Sequence, residues 1–351
     1  MTKQRYDFHP DRPGALIAAL PAVLGFVPEH SLVLAAVEDG ALGLVTRTDL
    51  ADALPDQLAQ LTAAVAAAAP EAVIAVFVDA DGAQCPVCNL EYRRIADTLV
   101  RLLARRDITV WAAHVVDTIA AGGRWHCADG CGSAGSVDDP ASSPLALAAV
   151  LDGRRLYASR DELVAVVAPR DPQRARRLAA ALRRKRSARK AAHTTDPDTG
   201  SRRELESVLA AVERRSAGAV FDDAELVALA DALDDIRVRD SLFGLAVGKR
   251  AGEAEALWMS LAQTLPDPAR AEALVLLAFS AYVRGDGSLA GVALAAALDA
   301  RPDHRMAGLL DSALQGGMRP EQIRDLALTG LRIAGQLGVR LPPQRPARRA
   351  G

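Results

Sequence analysis

The sequence predicts an α/β amino-terminal domain built on a mixed sheet with a βαβ unit, followed by an all-α domain of helical repeats. Three observations lead to this fold class. Short β-rich runs alternate with helical patterns over residues 1–165, only helical patterns appear after Arg203, and a glycine–acid pair recurs at a fixed interval in this second part. Half of the residues are hydrophobic, so both domains have enough apolar material for a core.

The amino-terminal domain, residues 1–165, is predicted to contain a β-hairpin and a βαβ unit. The β-rich runs Ser31–Val37 and Ala41–Asp49 flank an Asp-Gly turn, which favours a hairpin because glycine accepts positive φ. The continuous apolar run Ala72–Val78 is typical of a strand buried on both faces. The helical pattern of Tyr92–Arg105 separates it from a second strand, Ile108–Val116. This order of elements indicates a βαβ unit.

A basic segment follows this domain. Residues 170–190 carry ten arginines and lysines against the single acid Asp171, and Leu178 and Leu182 lie at helical spacing. The polar stretch from His193 to Ser201 contains the breakers Asp-Pro and Thr-Gly. We therefore expect residues 166–205 to form a basic helix and a linker.

A repeat is visible in the carboxyl-terminal part. Gly252-Glu253 and Gly285-Asp286 lie 33 residues apart, and Pro268 and Pro302 lie 34 apart. A period near 34 with a glycine turn and a proline turn between helices resembles tetratricopeptide repeats. We expect a helical-repeat domain at residues 206–338 and a disordered Pro/Arg-rich tail at 339–351.

The chain also resembles a known family. The segment from Pro21 to Pro28, PAVLGFVP, followed by Ser31-Leu32-Val33, is similar to the start of an actinobacterial family called domain of unknown function 4192. Further matches are Arg47 with Asp49-Leu50, the segment Gly123-Arg124-Trp125 to Cys127 and Cys131, Ser143-Pro144, Gly153-Arg154, and Arg237-Val238-Arg239-Asp240. The resemblance covers nearly the whole chain. It implies the architecture of that family and carries no activity.

The four cysteines form two pairs, Cys85-x2-Cys88 and Cys127-x3-Cys131, and each pair lies in turn-like sequence after a predicted strand. In a reducing compartment, clustered cysteines favour metal ligation or redox chemistry over structural disulfides. Zn²⁺ takes four soft donors in a tetrahedron, which two paired turns supply. We therefore expect Cys85, Cys88, Cys127 and Cys131 to hold one structural zinc ion.

Two other interpretations of the cysteines are open. Cys85-Pro86-Val87-Cys88 follows a strand and opens a helix, as in the redox turn of glutaredoxins and thioredoxins, where the helix N-terminus lowers the pKa of the first cysteine. The later strand Ile108–Val116 lacks the Thr-Val-Pro-like signal that those folds place opposite the dithiol. Unliganded, reduced cysteines are the third interpretation, since this spacing alone is common.

A second candidate site is the turn Gly25-Phe26-Val27-Pro28 with Ser31, which we consider as a ligand-binding loop. The opposing interpretation is a helix stop that feeds a strand, with Phe26 as a core residue. The six histidines form no His-x3-His or His/Asp/Ser arrangement.

The sequence predicts a binding protein rather than an enzyme. Walker and Gly-x-Ser-x-Gly motifs are absent, and stacked helix pairs offer a concave face for a partner. We therefore expect a non-catalytic adaptor whose residues 222–337 hold a protein partner. A thiol–disulfide redox enzyme using Cys85 and Cys88 is one alternative. A nucleic-acid-binding protein is the other, because the basic helix 170–190 could contact phosphates, although it lacks interleaved aromatic residues.

The hydropathy of the chain gives the expected location. No apolar run reaches the roughly 20 residues that a membrane span needs, and residues 1–13 do not resemble a signal peptide. The formal net charge of −2 is too small for the chain as a whole to be attracted to polyanions. We expect a cytoplasmic protein without membrane contact.

Overall fold

The computed structural model describes residues 12–38, 40–151, 153–191 and 197–343. The chain divides into two compact units. The first contains the residues up to Glu162 together with Gln315–Met318, and the second contains Leu163–Leu314 and the residues from Arg319 onward. The first unit holds a mixed sheet and the second is helical, so the predicted fold class is confirmed at this level.

The sheet of the first unit has six strands in the order β2-β1-β3-β4-β5-β6. The strands are β1 (Ser31–Glu38), β2 (Ala41–Asp49), β3 (Ala72–Val78), β4 (Thr109–Val116), β5 (Arg124–Cys127) and β6 (Ala134–Ser136). All neighbours are antiparallel except β3 and β4, which are parallel. The predicted hairpin and βαβ unit are therefore confirmed.

Helices cover the sheet of the first unit. They are α1 (Pro13–Leu24), α2 (Pro55–Ala67), α3 (Pro86–Ala104) and α4 (Pro144–Leu151), and α5 (Arg160–Val167) crosses the boundary between the units. The crossover helix α3 buries Tyr92, Ala96, Leu99 and Leu103, whose spacing of three and four residues forms one apolar stripe. This stripe packs with α2 in one core cluster with Leu32, Phe77 and other residues of the sheet.

The second unit is built from helices. They are α6 (Pro172–Ala191), α7 (Pro197–Ser216), α8 (Asp223–Leu233), α9 (Ile236–Leu242), α10 (Ala251–Thr264), α11 (Arg270–Arg284), α12 (Gly287–Ala300), α13 (Arg305–Gln315) and α14 (Pro320–Gln336). Helix α11 is buried on nearly all sides and contacts α10, α12 and α14, so it is the central helix of this unit. Among the described residues, no helix has the length and apolarity to traverse a bilayer.

The two glycines of the sequence repeat have different roles. Gly285 ends α11 in the left-handed region at φ 87°, as expected of a helix-terminating glycine. Gly252 instead lies in the first turn of α10, where no left-handed conformation is needed. The segments that follow both glycines are helical, as the pattern predicts.

Two predicted boundaries were wrong. Residues 197–205 belong to α7 and are not a linker, because Ser201 is buried and Leu205 packs in the core. Residues 339–343 are ordered, since Val339 is buried and the Lys249 N–H donates to the Pro343 carbonyl at 3.0 Å. The remaining parts of those predictions, residues 192–196 and 344–351, lie outside the described residues.

A buried cluster of charges lies against α11. Glu272 Oε2 accepts a hydrogen bond from Arg239 Nη1 at 3.0 Å and lies 3.1 Å from His304 Nε2, while Arg301 bonds to the other carboxylate oxygen. Burial alone would raise the pKa of the Glu272 carboxyl group, but the bonds from His304 and Arg301 and the charge of Arg239 lower it to about 2. The carboxylate therefore stabilises the folded state.

This cluster predicts an acid-sensitive contribution to stability. The folded-state pKa of Glu272, about 2, lies below the value of about 4.3 for an unfolded glutamate. The stabilisation is therefore fully present above about pH 4.3, is lost as the pH falls towards about 2, and amounts to about 3 kcal/mol. We expect Glu272→Gln to lower the free energy of unfolding at neutral pH by about 3–5 kcal/mol, because the buried Arg239 and the half-buried Arg301 lose their carboxylate partner.

The measurement is urea unfolding of the full chain, followed by circular dichroism, at neutral pH and below about pH 4.3. The difference in the free energy of unfolding between wild type and Glu272→Gln should become smaller at acid pH. Glu321→Gln, a change of an exposed acid in the first turn of α14, is the matched control and should lower the free energy of unfolding at neutral pH by no more than about 1 kcal/mol. An equal difference in the free energy of unfolding at both pH values would contradict the stabilising role of the Glu272 carboxylate.

Candidate functional site

The four cysteines occupy two places in the first unit. Cys85 and Cys88 lie at the start of α3, whereas Cys127 ends β5 and Cys131 lies in the loop before β6. Among the described residues, two groups of three or more potential ligand atoms lie within 4.8 Å of one another, and neither includes Cys85 or Cys88. The structure therefore does not bring the four predicted zinc ligands into one cluster.

Strand alternation explains this separation. His126 Nε2 lies 2.8 Å from Asn89 Oδ1 of α3, so the side chain of His126 is on the α3 face of the sheet. Successive side chains of a strand point to opposite faces, and the next residue, Cys127, contacts His114 of β4 instead, with its sulfur 3.7 Å from His114 Nδ1. Cys127 thus points away from the helix that carries Cys85.

Cys85 occupies the amino-terminal cap of α3. Its sulfur accepts the backbone N–H of Cys88 at 3.4 Å, and Pro86 follows at the first helical position, where a missing donor has no cost. The first N–H groups of a helix have no partner within the helix, and the helix dipole adds positive potential there. The sulfur of Cys85 therefore lies where a negative charge is stabilised.

The two thiols at this cap differ in acidity. The backbone N–H of Cys88, followed by a hydrogen bond from the Cys88 side chain, lowers the pKa of Cys85 below that of a free cysteine. The same side-chain bond, followed by burial, raises the pKa of Cys88. Cys88 also packs against the core cluster beneath α3. The arrangement favours a thiolate at Cys85 and a neutral thiol at Cys88.

Asn89 fixes the loop before α3. Its side-chain amide donates to the carbonyl oxygens of Cys85 at 2.9 Å, Ala83 at 3.0 Å and Gly82 at 3.4 Å. Its oxygen lies 2.8 Å from His126 Nε2, which connects the loop to β5. Burial lowers the pKa of His126, so this histidine is neutral at physiological pH.

An acidic group lies beside the thiols at the end of β3. Tyr92 donates from its hydroxyl group to Asp79 Oδ2, and His30 Nδ1 lies 3.2 Å from Asp79 Oδ1. Burial opposes ionisation of Asp79, but the bonds from Tyr92 and the Gly82 N–H lower its pKa. His30, Asp79 and Asp81 form one of the two groups of potential metal ligands.

Apolar side chains border the thiol pair. Val87, between the two cysteines, is 76% exposed, and Leu90 one residue after Asn89 is 50% exposed. Their exposure leaves apolar surface at the start of α3, the helix whose cap is Cys85.

The second group of potential metal ligands consists of Cys127, Asp129 and Cys131. The loop that carries it joins β5 to β6, and Gly130 and Gly132 adopt positive φ of 75° and 85°. Burial and the bond from Cys131 raise the pKa of Cys127 to about 12, and burial lowers the pKa of His114 to about 4. Both groups are therefore uncharged at neutral pH.

The predicted ligand loop is part of the core. Gly25 ends α1 in the left-handed region, Phe26 is 5% exposed and Pro28 is buried. Ser31 is fully buried, donates from Oγ to the Glu29 carbonyl at 2.5 Å and accepts from Arg47 Nε at 2.8 Å. These contacts account for the segment by packing and strand entry.

Part of the charge of the basic helix α6 is used inside the second unit. Arg174 Nε lies 2.8 Å from Asp223 Oδ1, Arg186 pairs with Asp234, and Arg189 donates to the Asp231 carbonyl at 3.2 Å. These arginines hold α6 against α8. The nucleic-acid alternative stays a prediction that rests on the exposed remainder of the helix.

Sequence reasoning missed several residues of both clusters. Asp129 joins Cys127 and Cys131, and His114 contacts Cys127, while Asp79, which His30 contacts, lies near Cys85. The signal that could have found His114 is the antiparallel register between β4 and β5, in which His114 pairs with Cys127. His30 precedes β1 and Asp79 follows β3, and these two strands are antiparallel neighbours.

The sequence of the chain matches the model of one protein family. The sequence model of the family described as Domain of unknown function (DUF4192) matches residues 13–321. Both cysteine pairs, Cys85/Cys88 and Cys127/Cys131, lie inside the matched range, and so does most of the helical unit. No curated protein and no solved structure gives a match.

The anchoring role of Asn89 is testable. Asn89→Ala removes the three hydrogen bonds that hold the loop before α3, and we expect the local free energy of opening to fall by about 1–3 kcal/mol. Hydrogen exchange of the amides of residues 83–85 and 87–89 should accelerate about tenfold or more. Glu91→Ala, an exposed change in the same helix, is the control. Equal exchange in both variants would exclude the anchoring role.

Proposed function

The chain belongs to the family described as Domain of unknown function (DUF4192), whose description names no activity, and from the geometry of its first unit we propose that it is a thiol–disulfide oxidoreductase using Cys85 and Cys88. The observation that carries the proposal is the position of Cys85 at the amino-terminal cap of the 19-residue helix α3, with the Cys88 N–H 3.4 Å from its sulfur. Helix N-termini stabilise anions, including thiolates.

The first step is attack of the Cys85 thiolate on one sulfur of a substrate disulfide. A bond forms between the Cys85 sulfur and that substrate sulfur, while the substrate S–S bond breaks. The second substrate sulfur leaves as a thiolate and takes a proton from water. The product of this step is a mixed disulfide between Cys85 and half of the substrate.

The second step is resolution by Cys88. Its thiol loses a proton to water and attacks the Cys85 sulfur, which forms the Cys85–Cys88 disulfide and breaks the bond to the substrate; the substrate sulfur that was bound to Cys85 leaves as a thiolate and takes a proton from water. Two electrons have then passed from the dithiol to the substrate. A small-molecule or protein dithiol restores the reduced form by the same exchange in reverse.

The surroundings support this division of roles. Cys88 packs against the core, so it is poised to attack Cys85 from inside, whereas Val87 and Leu90 expose apolar surface at the start of α3. Asn89 holds the carbonyl of Cys85 and so fixes the cap geometry. The expectation of an adaptor rests on the repeat pattern in the sequence. The redox proposal is supported by the position of Cys85 and Cys88 at the start of α3.

Trapping with oxidised glutathione tests the proposal on the full chain. The wild type should form the Cys85–Cys88 disulfide, and Cys88→Ser should accumulate a mixed disulfide between glutathione and Cys85, because the resolving thiol is missing. Turnover of a disulfide peptide with dithiothreitol should fall to the uncatalysed background in Cys85→Ser. Peptide mapping by mass spectrometry locates each bond.

The control for this experiment is Glu91→Gln, which changes an exposed side chain of the same helix and should leave turnover unchanged. Circular dichroism of each variant shows whether it is folded. Turnover that survives in Cys85→Ser, or glutathione attached to Cys88 in preference to Cys85, would refute the proposed chemistry.

The acidity of Cys85 gives a separate prediction. Since the Cys88 N–H lowers the pKa of Cys85, its thiolate persists to lower pH than that of a free cysteine. The rate of its alkylation by iodoacetamide should therefore rise with pH around a midpoint below about 8.5. This phase should be absent from Cys85→Ser. A midpoint at or above about 8.5 would show that the helix cap does not activate the thiol.

A further inference from the structure

The loop between β5 and β6 collects side chains of the types that bind zinc. We propose that His114, Cys127, Asp129 and Cys131 form a structural site for one divalent cation of the zinc class, separate from the thiols of Cys85 and Cys88. Asp129 and His114 take the places that the sequence prediction gave to Cys85 and Cys88. This proposal does not depend on the proposed redox function.

Three of the proposed ligands converge, and His114 contacts one of them, Cys127. Ligand atoms of Cys127, Asp129 and Cys131 all lie within 4.8 Å of one another, and His114 Nδ1 lies 3.7 Å from Cys127 Sγ. Around a tetrahedral zinc ion, with Zn–N of about 2.0 Å and Zn–S of about 2.3 Å, a nitrogen and a sulfur lie about 3.5 Å apart. The observed separation therefore leaves room for an ion bound by both atoms.

The backbone of the loop is shaped for convergence of these side chains. The Cys127 N–H donates to the Ser133 carbonyl at 2.9 Å, which closes the loop, and the Cys131 N–H donates to Asp129 Oδ1 at 2.9 Å. Gly130 and Gly132 provide the positive φ values that flank Cys131. The loop thus returns Cys131 towards Cys127.

The fourth ligand comes from the sheet. His114 is 4% exposed in β4, and Trp125 packs edge-on against its ring, with the two ring centroids 5.1 Å apart. Its position is fixed by the pairing of β4 with β5, in which it lies opposite Cys127. A metal ion held by both would pin the β5–β6 hairpin to β4.

The charges are also consistent with a bound dication. Two thiolates, one carboxylate and a neutral imidazole carry three negative charges, so a dication leaves about one in excess. Arg93 of α3 donates from Nε to the Ala128 carbonyl at 3.1 Å, and its guanidinium group lies close to Gly130. A cation in the outer shell of the site offsets that remaining charge.

The site is of the closed kind. Four protein ligands of these types complete the tetrahedral coordination of zinc and leave no position for a substrate. Sulfur, imidazole and carboxylate donors together suit zinc better than magnesium or calcium, which prefer oxygen alone. The ion would therefore stabilise the hairpin rather than perform chemistry.

Metal titration of the full chain tests the proposal. The protein is stripped with a chelator under reducing conditions and titrated with Co²⁺, and Zn²⁺ is then added in competition. We expect one Co²⁺ per chain with thiolate-to-cobalt charge-transfer absorption, which Zn²⁺ abolishes. Cys131→Ser should remove this absorption, and Asp129→Asn, an exposed change that keeps the side-chain size, should weaken binding by roughly tenfold or more.

The control variants are Cys85→Ser and Cys88→Ser, which should bind Co²⁺ as the wild type does, and circular dichroism verifies that every variant is folded. Absence of Co²⁺ binding by the reduced wild type would overturn the proposal. Binding that requires Cys85 or Cys88 would replace it with the four-cysteine site. Loss of metal binding leaves glutathione trapping at Cys85 unaffected, so failure here and failure of the redox proposal are distinguishable.

Discussion

The one parallel strand pair of the sheet is the constraint on which the candidate site depends. Strands β3 and β4 are parallel in a sheet whose other neighbours are antiparallel. Parallel strands require a crossover, and here the crossover is α3, which begins beyond the carboxyl end of β3. Cys85 and Cys88 are on the first turn of this helix, so the strand topology places a dithiol at a helix N-terminus.

Strand β5 serves both thiol clusters because its side chains alternate. His126 contacts Asn89 and so supports the loop that carries Cys85. Cys127, one residue later, faces His114 and belongs to the proposed metal site. Arg93 of α3 reaches the loop beyond β5 through the Ala128 carbonyl, so the same helix borders both clusters. A shift of β5 by one residue would exchange these roles and dismantle both sites.

The helical unit uses charge in a different way. Its central helix α11 is buried on nearly all sides, yet it carries Glu272, which is 5% exposed and joins residues from three other segments. A buried carboxylate is tolerated only when its partners satisfy it. By contrast, Arg174 and Arg186 of α6 are half-buried and hold one helix against its neighbour. Arginine–carboxylate pairs therefore contribute differently to the free energy of unfolding at α11 and at α6.

Local sequence patterns determined strands β1 to β4 and the crossover helix, because alternation, apolar runs and Asp-Gly act over a few residues. They misassigned residues 197–205 and 339–343, whose order depends on distant packing partners. The partners of each cysteine were decided by tertiary structure alone. Spacing suggests one four-cysteine site, but strand register directs Cys127 towards His114 and away from α3, because register fixes the face on which each side chain lies.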